Sequence, residues 1–140
     1  MRPAISQIER NPVEFSQSFS DLAQRSMSLI ANNQAETGAY AASPSFSAYR
    51  GYCWFRDGAF IADAMSAAGK TVSATRFFEW CADVITRREE RIARIVAAAQ
   101  NGHPLPASDM LPTRFTYSGA DGEDTWWDFQ LDGYGTWLWA

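Results

Sequence analysis

The sequence predicts an all-α fold, and two observations carry that reading. Apolar residues recur at three-and-four spacing over several long stretches, the signature of helices with one buried face. Between them lie short breaker-rich segments such as Asn32-Asn33, Thr37-Gly38 and Asn101-Gly102-His103-Pro104. Strands do not alternate with helices, so doubly wound sheets and α/β barrels are disfavoured. With 140 residues, 46% of them hydrophobic and six of them tryptophan, the chain has the size of one ordinary domain and the material for a core.

The first helix is predicted over 11–33, where Phe15, Phe19, Leu22, Met27 and Leu29-Ile30 share a helical period. We take residues 1–33 as an amino-terminal helical segment and 34–140 as the main body. Residues 38–47 are small, polar and proline-bearing, and read as a loop. Asp57 is a candidate N-cap for a second helix over 58–68, which Gly69 closes. Phe60, Ile61, Ala64, Met65 and Ala68 are its expected buried face. A third helix is predicted from 72 to 99, with Phe77, Phe78, Trp80, Cys81, Val84 and Ile85 inward and Arg87 to Arg91 as a solvated charged turn. After a break at 101–106 come the β-type residues Phe115-Thr116-Tyr117, an acidic loop at 121–124, and a fourth helix starting near Phe129. Its apolar pattern runs to Ala140 without a cap, which predicts the front part of a larger protein.

Composition narrows the function classes. A net charge of −4 and the lack of a basic tract argue against nucleic acid and anionic membrane as partners. One histidine, His103, and two cysteines, Cys53 and Cys81, cannot supply a structural zinc site, and neither a metal nor another cofactor is expected. The first ten residues lack the apolar core of a signal peptide, and no later stretch is long enough to cross a bilayer. Both cysteines sit in apolar surroundings, so we expect free buried thiols and a cytoplasmic protein.

Two aromatic runs carry the chemistry: Tyr49 to Gly58, containing Tyr52-Cys53-Trp54-Phe55-Arg56-Asp57, and Trp126-Trp127-Asp128-Phe129-Gln130-Leu131-Asp132-Gly133. Flat apolar faces beside a guanidinium and a carboxylate match a pyranose ring, with its C–H faces and rim of hydroxyls. Arg56 and Asp57 can bracket vicinal hydroxyls through charge-assisted hydrogen bonds; alternatively, Asp57 only caps its helix. One of Trp126 and Trp127 is expected in the core and the other over a sugar. Asp57 and Asp132 are conceivable as an acid–base pair, although capping and hydroxyl binding suit them better. His103, between Gly102 and Pro104, reads as a surface imidazole. These residues fall in loops at alternate helix junctions, facing one end of a helical array.

Taken in order, Gly38-Ala39-Tyr40-Ala41-Ala42-Ser43-Pro44, Tyr52-Cys53-Trp54-Phe55-Arg56-Asp57 and Gln130-Leu131-Asp132-Gly133-Tyr134-Gly135 resemble the motifs of glycoside hydrolase family 15, the glucoamylase, glucodextranase and bacterial trehalase group. The resemblance covers 34–140. It implies an incomplete (α/α)6 barrel and inverting, exo-acting hydrolysis that releases glucose from the non-reducing end of an oligosaccharide or disaccharide. It further implies that Arg56 and Asp57 hold the terminal glucose, that Tyr52 and Trp54 line the subsite, and that Trp126 stands beside the general acid. Gly51 and Thr136 depart from the family's usual residues. The family's two catalytic glutamates lie on later helices, so this stretch would be inactive alone. The alternatives are a non-catalytic carbohydrate-binding or regulatory domain on the same barrel, or a small helical binding module.

Overall fold

The structure, a computed structural model, describes residues 12–123 and 129–140, so the expectations placed on Trp126 and Trp127 lie outside the described residues. Two compact units are present, Met1–Asn32 and Asn33–Ala140. The first contains α1 (Pro12–Asn32), within a residue of the expected helix. The second contains β1 (Tyr52–Trp54), α2 (Phe55–Ala67), α3 (Thr71–Thr86), α4 (Glu89–Gln100), β2 (Arg114–Thr116) and α5 (Leu131–Trp139). It is an all-α body with one two-stranded ribbon.

The segment before β1 is anchored on α3. Gln34 Nε2 donates to Gly38 O and Ser73 O, both at 2.9 Å, and the Tyr40 hydroxyl lies 2.7 Å from Ser73 Oγ. Arg76 donates to the carbonyls of Ala35 and Glu36 at 2.9 and 2.7 Å. Gly38 makes this docking possible. Its φ is +104°, and a Cβ there would lie 2.2 Å from Arg76 O, a backbone atom that cannot swing aside. Gly38→Ala is therefore expected to destabilise the protein by about 2 kcal/mol or more, combining left-handed strain with overpacking. Urea denaturation checks this, and a midpoint unchanged from the parent would contradict the docking account.

The second helix begins earlier than its sequence suggests. Trp54, in extended conformation, occupies the N-cap without a side-chain cap bond, and Asp57 sits inside the first turn. Asp57 is thus no N-cap, although a carboxylate in a first turn still complements the positive end of the helix dipole. The buried face is also different: Phe55, Gly58, Ala59, Ala62 and Met65 point inward, whereas Phe60 is 55% exposed. The reason is the close approach of α3. A Cβ at Gly58 would lie 2.3 Å from the Phe77 ring, so a glycine stands where α2 meets that ring of α3.

The single long helix expected over 72–99 is broken into α3 and α4 at Arg87-Arg88. Arg88 is not a solvated turn residue. Its guanidinium folds back to Val84 O at 2.8 Å and lies 4.5 Å from the centre of the Phe115 ring, with the side chain 13% exposed. Those inward contacts redirect the chain. Of the expected inner stripe, Phe77, Trp80, Cys81 and Val84 are buried, and both cysteines are free and buried as expected. Burial raises the pKa of both thiols well above the ordinary cysteine value. Among the described residues, no helix is long and apolar enough to cross a membrane.

Phe55 is the hub of the core. It is 1% exposed, and its ring centre lies 5.4–5.7 Å from those of Phe115, Tyr134, Trp137 and Trp80. One side chain of α2 therefore joins α3, β2 and α5.

Candidate functional site

The antiparallel ribbon decides where the aromatic run points. Tyr52 pairs with Thr116, Cys53 with Phe115 and Trp54 with Arg114. Side chains alternate across a strand, so Cys53 and Phe115 enter the core while Tyr52 and Trp54 share the opposite face. Arg114, only 3% exposed, lies over both rings, 4.0 Å from the centre of Tyr52 and 5.3 Å from that of Trp54, and donates to Ala48 O at 3.1 Å. Tyr49 packs on Trp54 from the other direction, with ring centres 4.9 Å apart. Trp54 is 4% exposed, so it acts here as packed support and not as an open platform. Tyr52 is half-buried.

One step along the chain, the first turns of α2 and α5 converge. Gly133, the buried residue of α5, passes the Arg56 backbone, where an added Cβ would lie 3.7 Å from Arg56 N. That approach brings Arg56 and Asp132 together. Arg56 Nη1 donates to Gln130 Oε1 at 2.7 Å and to Asp132 Oδ2 at 2.9 Å, while Nη2 lies 3.5 Å from Asp57 Oδ2. Thr113 Oγ1 donates to the same Gln130 oxygen at 2.9 Å. The α5 end is fixed again by the Tyr134 hydroxyl, which donates to Pro112 O.

The outcome is an open polar cluster that follows a packed aromatic strand in the chain. The side chains of Arg56, Asp57 and Asp132 are 35%, 50% and 58% exposed, leaving donor and acceptor edges accessible for hydroxyl groups. The Arg56 hydrogen bond holds the Asp132 carboxyl below its ordinary pKa, assisted by the positive charge of Arg56 and backbone N–H groups. A group kept ionised in this way is a poor general acid.

The depressed pKa of Asp132 has a pH signature. The ion pair contributes fully above the unfolded carboxylate pKa, near 4, and is lost as pH falls through the lower folded value. Asp132→Asn should therefore melt below the parent at pH 6, by a margin that shrinks at a pH below the ordinary carboxylate range. Equal melting temperatures at both pH values would contradict the pairing.

Of the residues singled out in the sequence, Arg56 and Asp57 lie in the cluster, Tyr52 and Trp54 on the strand just before it, and Trp126 outside the described residues. Arg114 and Thr113 escaped sequence reasoning. Their signal was the alternation of Thr113 to Thr116 ahead of Tyr117, visible only once β2 is known to pair with the aromatic run.

The chain is thus an all-α array in which the starts of α2 and α5 bring a polar cluster together. The model of the glycosyl hydrolases family 15 matches residues 18–140, and the chain belongs to that family. An isomaltose glucohydrolase from Kribbella flavida is 49% identical over 120 residues, covering 86% of this chain and 31% of that protein. A wild-type glycosidase superposes with a TM-score of 0.85 at 46% identity, over 93% of this chain and 35% of its own. A glutamate-to-alanine variant of a glycosidase, solved in complex with glucose, matches with the same TM-score, identity and coverage. The chain thus spans about a third of the length of these relatives. Its helices are an incomplete set from the barrel that the family builds.

Proposed function

We propose that residues 34–140 are the amino-terminal portion of the catalytic domain of an inverting, exo-acting α-glucosidase, with residues 1–33 as a helical segment ahead of it. The substrate is an oligosaccharide or disaccharide ending in α-linked glucose, and the relative named isomaltose glucohydrolase makes isomaltose the first to test. The observation that carries the reading is the Arg56 cluster. A guanidinium pinned by Gln130 and Asp132 keeps an adjacent carboxylate, Asp57, half exposed at a helix start, ready to bracket neighbouring hydroxyls. The glucose found with one relative supports a sugar of that kind.

In this reading Arg56 and Asp57 orient the terminal glucose, and Tyr52, Trp54 and Trp126 shape its subsite. The general acid and base come from the two-thirds of the family length beyond this chain, so these 140 residues alone release no glucose. The buried free thiols suit a cytoplasmic setting.

The test is proton NMR of the full-length protein acting on isomaltose. Inversion releases the non-reducing glucose as the β-anomer, while the reducing-end glucose leaves as the anomeric mixture it already was, so early product is richer in β-glucose than the mutarotation equilibrium. An early excess of α-glucose over that equilibrium would refute inversion. Failure to cleave isomaltose, maltose or trehalose would favour the non-catalytic carbohydrate-binding or regulatory role.

A further inference from the structure

The elbow between α3 and α4 holds a second charged cluster, separate from the sugar-type constellation. Arg88 donates to Gly119 O at 2.8 Å and to Asp121 Oδ1 at 2.5 Å from Nη2 and 3.2 Å from Nε, in addition to its bond to Val84 O. Arg91 donates to Met110 O at 2.6 Å, Asp109 O at 3.2 Å and Asp121 Oδ2 at 3.1 Å. Each oxygen of one carboxylate is thus held by a different arginine. Both arginines also hold backbone carbonyls on opposite sides of β2, at 109–110 and at 119.

This clamp connects to the site by two routes. The first is β2 itself: the strand is gripped at both flanks, Thr113 precedes it, and Thr113 donates to the Gln130 oxygen that also receives Arg56. The second is Gly122, next to Asp121. It packs so closely on Tyr52 that a Cβ there would lie 2.9 Å from the Tyr52 hydroxyl oxygen. Tyr52 in turn underlies Arg114 and Trp54. Moving Asp121 would therefore shift the base of the subsite and the acceptor that aims Arg56.

We propose that Asp121, gripped between Arg88 and Arg91, is a positioning residue for the sugar subsite, acting through β2, Thr113 and Gln130 on Arg56 and through Gly122 on Tyr52. The proposal rests on the glucose-binding reading of the Arg56 cluster. Asp121 does not itself face the sugar. It fixes the frame in which the guanidinium is aimed, and misplacement of a binding group by about 1 Å is enough to cost up to a hundredfold.

The experiment measures isomaltose hydrolysis and competitive inhibition by glucose in the full-length protein, well below its melting transition. Asp121→Asn keeps the shape and removes the charge. It is expected to raise the glucose inhibition constant about tenfold and lower kcat/KM comparably. In an Arg56→Ala background, the same substitution should change glucose inhibition less than in the parent, because only the route through Gly122 and Tyr52 remains. Arg91→Lys, which keeps the charge but loses the fork, should shift glucose inhibition in the same direction, and it decides the matter if Asp121→Asn does not fold. Variants that melt earlier yet keep parental glucose inhibition and kcat/KM would overturn the proposal and leave the clamp merely structural. Asp57→Asn is the control: if it too leaves glucose inhibition unchanged, the sugar-site reading fails, whereas its failure to bind glucose beside a silent Asp121→Asn removes only the positioning role.

Discussion

Phe55→Ala should destabilise the protein by about 3–5 kcal/mol, the cost of deleting a fully enclosed aromatic ring. The ring touches four others, from α3, β2 and α5, so its loss opens a cavity where those elements meet, and no single neighbour can fill it. Net stability of a domain is commonly about 5–15 kcal/mol, so this one change removes a large share. Phe55→Leu, which keeps more of the volume, should cost markedly less. Urea denaturation followed by tryptophan fluorescence reads both. A Phe55→Ala midpoint close to the parent would mean that the α2–α5 contact is not held by this residue. The effect would extend to function as well, since Phe55 and Arg56 are consecutive and α5 brings Asp132 to the guanidinium.

Arg56→Ala should lower kcat/KM of the full-length protein about 10²–10³-fold, from the loss of one or two hydrogen bonds to a charged group at about 1.5–3 kcal/mol each. The substitution removes the donors and also leaves Asp57 and Asp132 without the cation between them. Arg56→Lys should recover little, because an ammonium cannot span Gln130, Asp132 and a sugar as a planar fork does. Stability should fall only by the modest margin expected of Asp132→Asn at pH 6, since the three charged side chains are substantially exposed and surface ion pairs contribute little. A melting temperature lowered as much as by Phe55→Ala, with unchanged kinetics in the folded fraction, would make Arg56 a structural residue.

Most helices and their outer breakers were legible because they depend on local periodicity and turn chemistry, but the break between α3 and α4 was not. Gly69 closes α2 as expected, with Lys70 N donating to Met65 O at 2.8 Å, and the Phe77, Trp80, Cys81 and Val84 stripe lies inward. What was not legible depended on partners distant in sequence. Three-residue strands are too short to show a period, so the pairing of Tyr52–Trp54 with Arg114–Thr116 stayed hidden, and with it the placement of Arg114 over two aromatic rings. Arg88 and Arg91 read as solvated because they lie in a run of charges; their acceptors, Asp121 and the carbonyls of 109, 110 and 119, lie on another segment. The start of α2 was misjudged because an aspartate at a helix beginning suits the first turn as well as the cap. In the site, residue types drew attention to Arg56 and Asp57, and only the fold gave the arrangement in which Gln130 and Asp132 bind the Arg56 guanidinium.

The most direct test is a crystal structure of the full-length protein with glucose. The expected result is a glucose ring whose hydroxyls lie about 2.6–3.2 Å from the Asp57 carboxylate and the Arg56 guanidinium, with Arg56 still bound to Gln130 and Asp132. Glucose seated elsewhere, with Arg56 and Asp57 making only their contacts to protein, would contradict the account.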